Sequence, residues 1–187
     1  MTRRGERRPM EEEFATIVKR AAERGLPSLV IGGNAVILLG YIRNTADLDL
    51  LVPEDKRSEW LDLLRELDFR SFHATEAFVQ LESNHRGGPP VDLMFVDAST
   101  WAKLSEGAHV ADFAGEPVLV PRPEFLVALK LHAAASPTRS RAEVDWEDIR
   151  QIVRICALDP EKESFRDLIL RYGGEDGLAR IRSFPKD

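Results

Sequence analysis

A short apolar run ends in two adjacent glycines, and an alternating pair of acids follows inside a second apolar run. The segments are Leu29-Val30-Ile31-Gly32-Gly33-Asn34 and, with thirteen residues between Gly33 and Asp47, Asp47-Leu48-Asp49-Leu50. Leu29 to Ile31 read as a fully buried strand. Gly32 and Gly33 break it, letting the backbone turn tightly and a phosphate come close to the amides. Asn34 is placed to cap a helix over Ala35 to Leu39 that ends near Gly40. A helix start offers unpaired N–H groups and a positive dipole end, which suits a triphosphate. Asp47 to Val52 read as a second strand closed by Pro53. Its period of two sends Asp47 and Asp49 to one face, with Leu48 and Leu50 on the other. Neighbouring carboxylates repel unless one protonates or a cation neutralises them. A hard divalent ion with oxygen ligands, such as Mg²⁺, meets that need. An exposed edge strand with one polar face is the alternative.

The rest of the chain places this motif in a mixed α/β frame. Phe14, Ile17, Val18 and Ala21 recur at helical spacing over residues 10 to 24, and Gly25 stops that helix. Trp60, Leu63, Leu64 and Leu67 mark a third helix over 55 to 67. Strands are expected at 77 to 82, 91 to 96 and, more weakly, 117 to 120, with a short helix around 98 to 105. From Pro123 the pattern is helical only: one helix through Phe125, Leu126, Leu129 and Leu131, one over 142 to 157, and one over 161 to 172. Gly173 and Gly174 then punctuate before a short tail. The expected organisation is a basic tail over 1–9, an α/β core over 10–121, and a helical region over 122–187 packed on it. The fold class is α/β (α+β), a small mixed sheet flanked by helices with a C-terminal helical part.

With 43% hydrophobic and 31% charged residues, disorder is not expected. A net charge of -6 argues against a surface basic throughout, while allowing a local basic cleft. One cysteine, Cys156, excludes an internal disulfide and fits a reducing cytoplasm. It lies in an apolar helical run and reads as core. No stretch is long and apolar enough to suggest a membrane span, so a cytoplasmic protein with no membrane partner is expected.

A third acid, Asp92, interrupts the apolar strand Val91-Asp92-Leu93-Met94-Phe95. An acid among core residues needs a compensating partner, and a strand beside the first would let it complete a three-carboxylate cluster. Asp97 competes for that place but is also a natural cap for the helix starting near Ala98. Lys130 sits between Leu129 and Leu131, either reaching into the site or snorkelling at the edge of the core. Asp145 and Asp148 share a helix face. They either orient Lys130 or a substrate group, or form an exposed acidic first turn. Arg43 is a candidate contact for nucleotide or acceptor, and His85 and Arg86 are candidates for the mouth of a cleft. Trp60, Trp101 and Trp146 read as core.

The ordered set Gly32-Gly33, Asp47-Leu48-Asp49 and Asp92 resembles the signature of the polymerase-β-like nucleotidyltransferase superfamily. The stretch GGNAVILLGYIRNTADLDLLV is most similar to the bacterial branch that includes toxins of type IV abortive-infection toxin–antitoxin systems. The resemblance covers residues 27 to 155 and extends to Arg43, Thr45, Lys130 and the pair Asp145 and Asp148. It implies transfer of an NMP from an NTP such as ATP to a hydroxyl, assisted by two Mg²⁺ (or Mn²⁺) ions. Asp47, Asp49 and Asp92 would be the metal ligands and, with Lys130, the catalytic set. Gly32, Gly33, Asn34, Arg43, Thr45, Asp145 and Asp148 would bind nucleotide. The implied acceptor is RNA, notably a tRNA 3′ end, with a small molecule of the antibiotic type as the alternative. A non-catalytic relative that binds a nucleotide or a protein is a further alternative. A cognate antitoxin protein is an implied partner. Superfamily members commonly carry Ser where this chain has Gly33.

Overall fold

The computed structural model describes residues 9–85, 88–136 and 141–185; the side chains of residues 9 and 10 are not described. Residues 1–8, most of the expected basic tail, lie outside that range. Helix α1 (Pro9–Glu23) buries Phe14, Ile17, Val18 and Ala21 along one face. The chain then enters β1 (Leu29–Val30), α2 (Gly32–Leu38) and β2 (Leu48–Pro53). A 3-10 turn at Glu54–Lys56 leads into α3 (Arg57–Glu66), whose Trp60, Leu63 and Leu64 are buried. Three strands follow, β3 (Phe69–Ala74), β4 (Phe78–Ser83) and β5 (Val91–Val96), and then α4 (Ala98–Ser105). A separate hairpin pairs β6 (His109–Phe113) with β7 (Glu116–Val120).

The main sheet has the order β1-β2-β5-β4-β3. β1 and β2 are antiparallel, β2 and β5 are parallel, and β5, β4 and β3 are antiparallel neighbours. Strand alternation decides which face meets the core. Leu48 and Leu50 of β2, Val91, Leu93 and Phe95 of β5, and Val79 and Leu81 of β4 are all buried. Asp49, Asp92 and Gln80 occupy the intervening positions and are half-buried. The core face is dry and the opposite face carries the polar groups.

Helices α5 (Pro123–Ala134), α6 (Ala142–Ile155) and α7 (Glu163–Arg182) complete the chain. α5 packs against both α6 and α7, and α2 touches α5 and α6. One hydrophobic cluster takes in Leu50 and Leu93 of the sheet together with Leu131, Ile149, Ile152 and Leu178 of these helices. No described helix is long and apolar enough to cross a membrane.

Five sequence-based expectations change. Strand β3 was not expected, because only Phe69 of its six residues is buried and an edge strand needs no apolar alternation. β6 escapes notice for the same reason, with Phe113 its one buried residue. The stretch after Gly173-Gly174 is no tail. α7 kinks at Gly174 (φ 64°, ψ −169°) and continues, burying Leu178 and Ile181. Finally, Asn34 caps nothing. α2 starts at Gly32 behind an extended Ile31 without a side-chain cap, and Asn34 lies inside the helix, buried. Cys156 is half-buried at the margin of the core rather than within it, where burial, with a smaller push from Glu124, raises its thiol pKa.

Candidate active site

The site begins with strand register. β2 and β5 run parallel with Asp49 directly opposite Asp92, so both side chains leave the same face of the sheet. Asp47 lies just before β2. Oxygen atoms of Asp47, Asp49 and Asp92 fall within 4.8 Å of one another. Asp97, by contrast, caps α4, accepting from the backbone N–H groups of Ser99 (2.8 Å) and Thr100 (3.0 Å). Those bonds hold its carboxyl below the usual range.

The electrostatics of the cluster fall mainly on Asp49. Burial, then the nearby charges of Asp47 and Asp92, push its pKa up to about 6 from an ordinary 3.8. Lys130 and the backbone N–H of Gly33 pull the other way without cancelling the effect. A carboxylate raised by two like neighbours stands in a field that a cation would relieve. An all-oxygen donor set of this kind fits a hard divalent ion. The three acids present therefore fit Mg²⁺ or Mn²⁺.

The two glycines have distinct structural reasons. Gly32 adopts φ +62°, and a Cβ there would lie 1.8 Å from Oδ2 of Asp49. The carboxylate occupies the space any side chain would need. A Cβ at Gly33 would lie 2.6 Å from Oγ1 and 2.9 Å from Cβ of Thr45. The place where a Ser would stand is thus filled by Thr45, whose hydroxyl donates to Oδ1 of Asp47 at 2.9 Å. Asn34 sits behind the site, its Nδ2 donating to the carbonyl of Asp47 at 2.8 Å. It steadies the loop before β2 and does not line the cleft.

Across the cleft, Lys130 of α5 meets Oδ1 of Asp145 at 3.1 Å and Oδ2 of Asp148 at 2.7 Å. Arg43 pairs with Asp148 from the β2 side. Both aspartates are 1% exposed, so of the two readings open in the sequence the exposed acidic turn is excluded and the pair instead lies against Lys130 in a buried charge network. Partnered charges can be buried in this way where lone ones cannot. The network ties the loop before β2 to α5 and α6.

The intervening cleft has a volume of about 640 Å³. Gly32, Gly33, Arg43, Thr45 and the three acids form one wall, and Leu126, Leu129, Lys130 and Val144 contribute to the other. Among the lining residues not singled out from the sequence, Gln80 and Arg141 approach the acids. Gln80 lies opposite Asp92 across β4 and β5, and its Nε2 donates to both carboxylate oxygens at 3.3 and 3.1 Å. Its one sequence signal was a polar residue alternating with Val79 and Leu81. Arg141, just before α6, brings Nη1 within 3.9 Å of Asp47. His85 is exposed, lies 3.8 Å from Asp68 and is absent from the cleft lining; Arg86 is outside the described residues. Trp60 is buried, and Trp101 and Trp146 pack partly buried against the core.

The fold is that of the nucleotidyltransferases. The antibiotic-resistance factor ANT(2'')-Ia superposes with a TM-score of 0.69 at 20% identity, covering 92% of this chain and 95% of that one. The lincosamide antibiotic adenylyltransferase LnuA, solved with lincomycin bound, gives 0.58 at 15% identity, covering 78% and 97%. The Megavirus polyadenylate synthase gives 0.55 at 14% identity, covering 82% of this chain and 33% of that one. No family model and no curated protein matches the sequence.

Proposed function

We propose that this nucleotidyltransferase-fold chain is a metal-dependent enzyme that moves an NMP from an NTP to a hydroxyl of a second molecule. The observation that carries the reading is the meeting of Asp47, Asp49 and Asp92 within 4.8 Å beside the Gly32-Gly33 turn. Asp47, Asp49 and Asp92 would hold Mg²⁺ or Mn²⁺, which would supply charge stabilisation to the phosphoryl group. In the reaction the acceptor oxygen bonds to the α-phosphorus while the bond to the bridging β-oxygen breaks, and pyrophosphate leaves. The acceptor's proton passes to Asp92, whose carboxylate the Gln80 amide orients from the neighbouring strand. Thr45 and Asn34 hold Asp47 by its carboxylate and its carbonyl. The buried Arg43, Lys130, Asp145 and Asp148 network holds the two walls at a fixed separation, so that positioning carries much of the rate.

Charge supports a small, amine-rich acceptor over RNA. Among the described residues around the cleft, the carboxylates of Asp47, Asp49, Asp92, Asp145 and Asp148 outnumber the cations Arg43, Lys130 and Arg141. An entering NTP carries at least as much negative charge as two divalent ions remove, so the acidic excess of the cleft remains as a field that attracts cationic acceptors and repels a phosphate backbone. ANT(2'')-Ia, matched over nearly the full length of both chains, is known in complex with adenylyl-2''-tobramycin. The toxin-like sequence motif keeps an RNA 3′ hydroxyl, with an antitoxin as partner, as the second reading.

The test is incubation with each α-labelled NTP and Mg²⁺, with an aminoglycoside and lincosamide panel in one arm and total RNA in the other. Label in a small product supports the preferred acceptor. Label in RNA, declining steeply with salt, selects the second reading. No label in either arm under Mg²⁺ or Mn²⁺ would remove the enzymatic reading.

A further inference from the structure

A triphosphate entering this cleft needs a cation that is free to turn towards it, and two conspicuous candidates among the described residues are already committed. Lys130, with an 11% exposed side chain, is held by Asp145 and Asp148, and Arg43, at 18%, by Asp148. Withdrawing either from those 1% exposed aspartates would leave buried charge with less compensation, which is strongly unfavourable. Arg141 is different: its side chain is 68% exposed, and its guanidinium stands 3.9 Å from Asp47, beyond hydrogen-bonding distance. Such a pair is loosely held.

The geometry points to Arg141 as the residue that contacts the β- and γ-phosphates of the NTP and then the departing pyrophosphate. Lys130 is in turn a positioning residue of the buried network. The inference rests on the nucleotidyltransferase reading. Asp47 would be the shared partner: with a divalent ion held there, the Arg141 guanidinium would lose its attraction to that carboxylate and be available to phosphate oxygens, whose spacing its planar donor fork matches. Arg141 would therefore oppose metal binding in the absence of nucleotide and favour it in its presence.

These two roles predict effects of opposite sign from one substitution. In titration calorimetry on the full chain, Arg141→Ala should bind Mn²⁺ alone as well as wild type or up to about fivefold more tightly, since one competing positive charge is gone. Inorganic pyrophosphate, titrated with Mn²⁺ saturating, should bind about tenfold or more weakly, the loss expected of a charge-assisted contact. Arg141→Lys should fall between the two. A merely structural role would weaken both ligands together or neither. Pyrophosphate affinity within about twofold of wild type would overturn the assignment, as would weakened Mn²⁺ binding in Arg141→Ala. If wild type binds Mn²⁺ and Asp47→Asn does not, such a result strikes Arg141 alone. If wild type binds no Mn²⁺, the enzymatic reading fails with it.

Discussion

Asp49→Asn is expected to make the metal-free protein more stable while removing its ability to hold a divalent ion. Burial and the charges of Asp47 and Asp92 push the Asp49 carboxyl to about 6 from an ordinary 3.8. Between those values the folded protein binds more protons at this position than the unfolded chain. Its stability therefore falls as pH rises through that window and levels off above it. At about 1.4 kcal/mol per pH unit, the ceiling on this penalty at neutral pH is about 3 kcal/mol. The side chain retains some solvent contact, so a gain of about 1 to 2 kcal/mol is expected from the neutral amide, or roughly 2–8 °C in Tm. The amide oxygen keeps an acceptor for the Gly33 N–H. Thermal unfolding in EDTA across pH 4 to 8 measures the effect: the stability of wild type relative to the variant should decline with rising pH to about 6 and then level off. Addition of Mg²⁺ should raise wild type and leave the variant unmoved. A variant less stable than wild type in EDTA at neutral pH, or one that keeps the same pH slope, would refute the electrostatic argument.

Asp92→Asn should lower transfer by about 10²-fold or more, as loss of a proton acceptor does, with the melting temperature nearly unchanged; single-turnover kinetics read it directly, and a rate within tenfold of wild type would reassign the base. Gly32→Ala should cost about 1–3 kcal/mol for its positive φ and lose metal affinity besides, because the new Cβ overlaps the Asp49 carboxylate; denaturant unfolding and Mn²⁺ titration separate the two losses, and unchanged Mn²⁺ affinity would contradict the geometry. Lys130→Met should destabilise by about 3 kcal/mol or more by uncovering buried acids, with Arg43 still on Asp148; a loss below about 1 kcal/mol, the scale of an exposed pair, would mean the network is more hydrated than its burial implies.

The acidic half of this site was legible in the sequence because its determinants are local. Asp47 and Asp49 lie two apart on one strand, and Asp92 stands out as an acid in an apolar strand whose partner is a second apolar strand. The Gly32-Gly33 turn falls between two such strands, so the mixed sheet and the position of its polar face could be read from alternation. What alternation cannot convey is why each glycine must lack a side chain. That answer depends on Asp49 and Thr45 folding back against them. Edge elements were lost for a related reason: β3 buries one residue, so there was no pattern to find.

The helical half was less legible because its contribution is a set of pairings between remote positions. Asp145 and Asp148 carry the same sequence pattern whether they face water or are sealed against Lys130 and Arg43, and only the packing of α6 on α5 and α2 decides. Under the proposed function that packing also separates the roles of the cations. Arg43 and Lys130 look alike to Arg141 in a sequence, as cations near an acidic motif. Burial separates them, since a cation sealed against buried aspartates would set the distance between walls but could not follow a moving phosphate, whereas an exposed one could. The proposed division of labour thus rests on solvent access at these three described cations, a quantity fixed by tertiary structure alone.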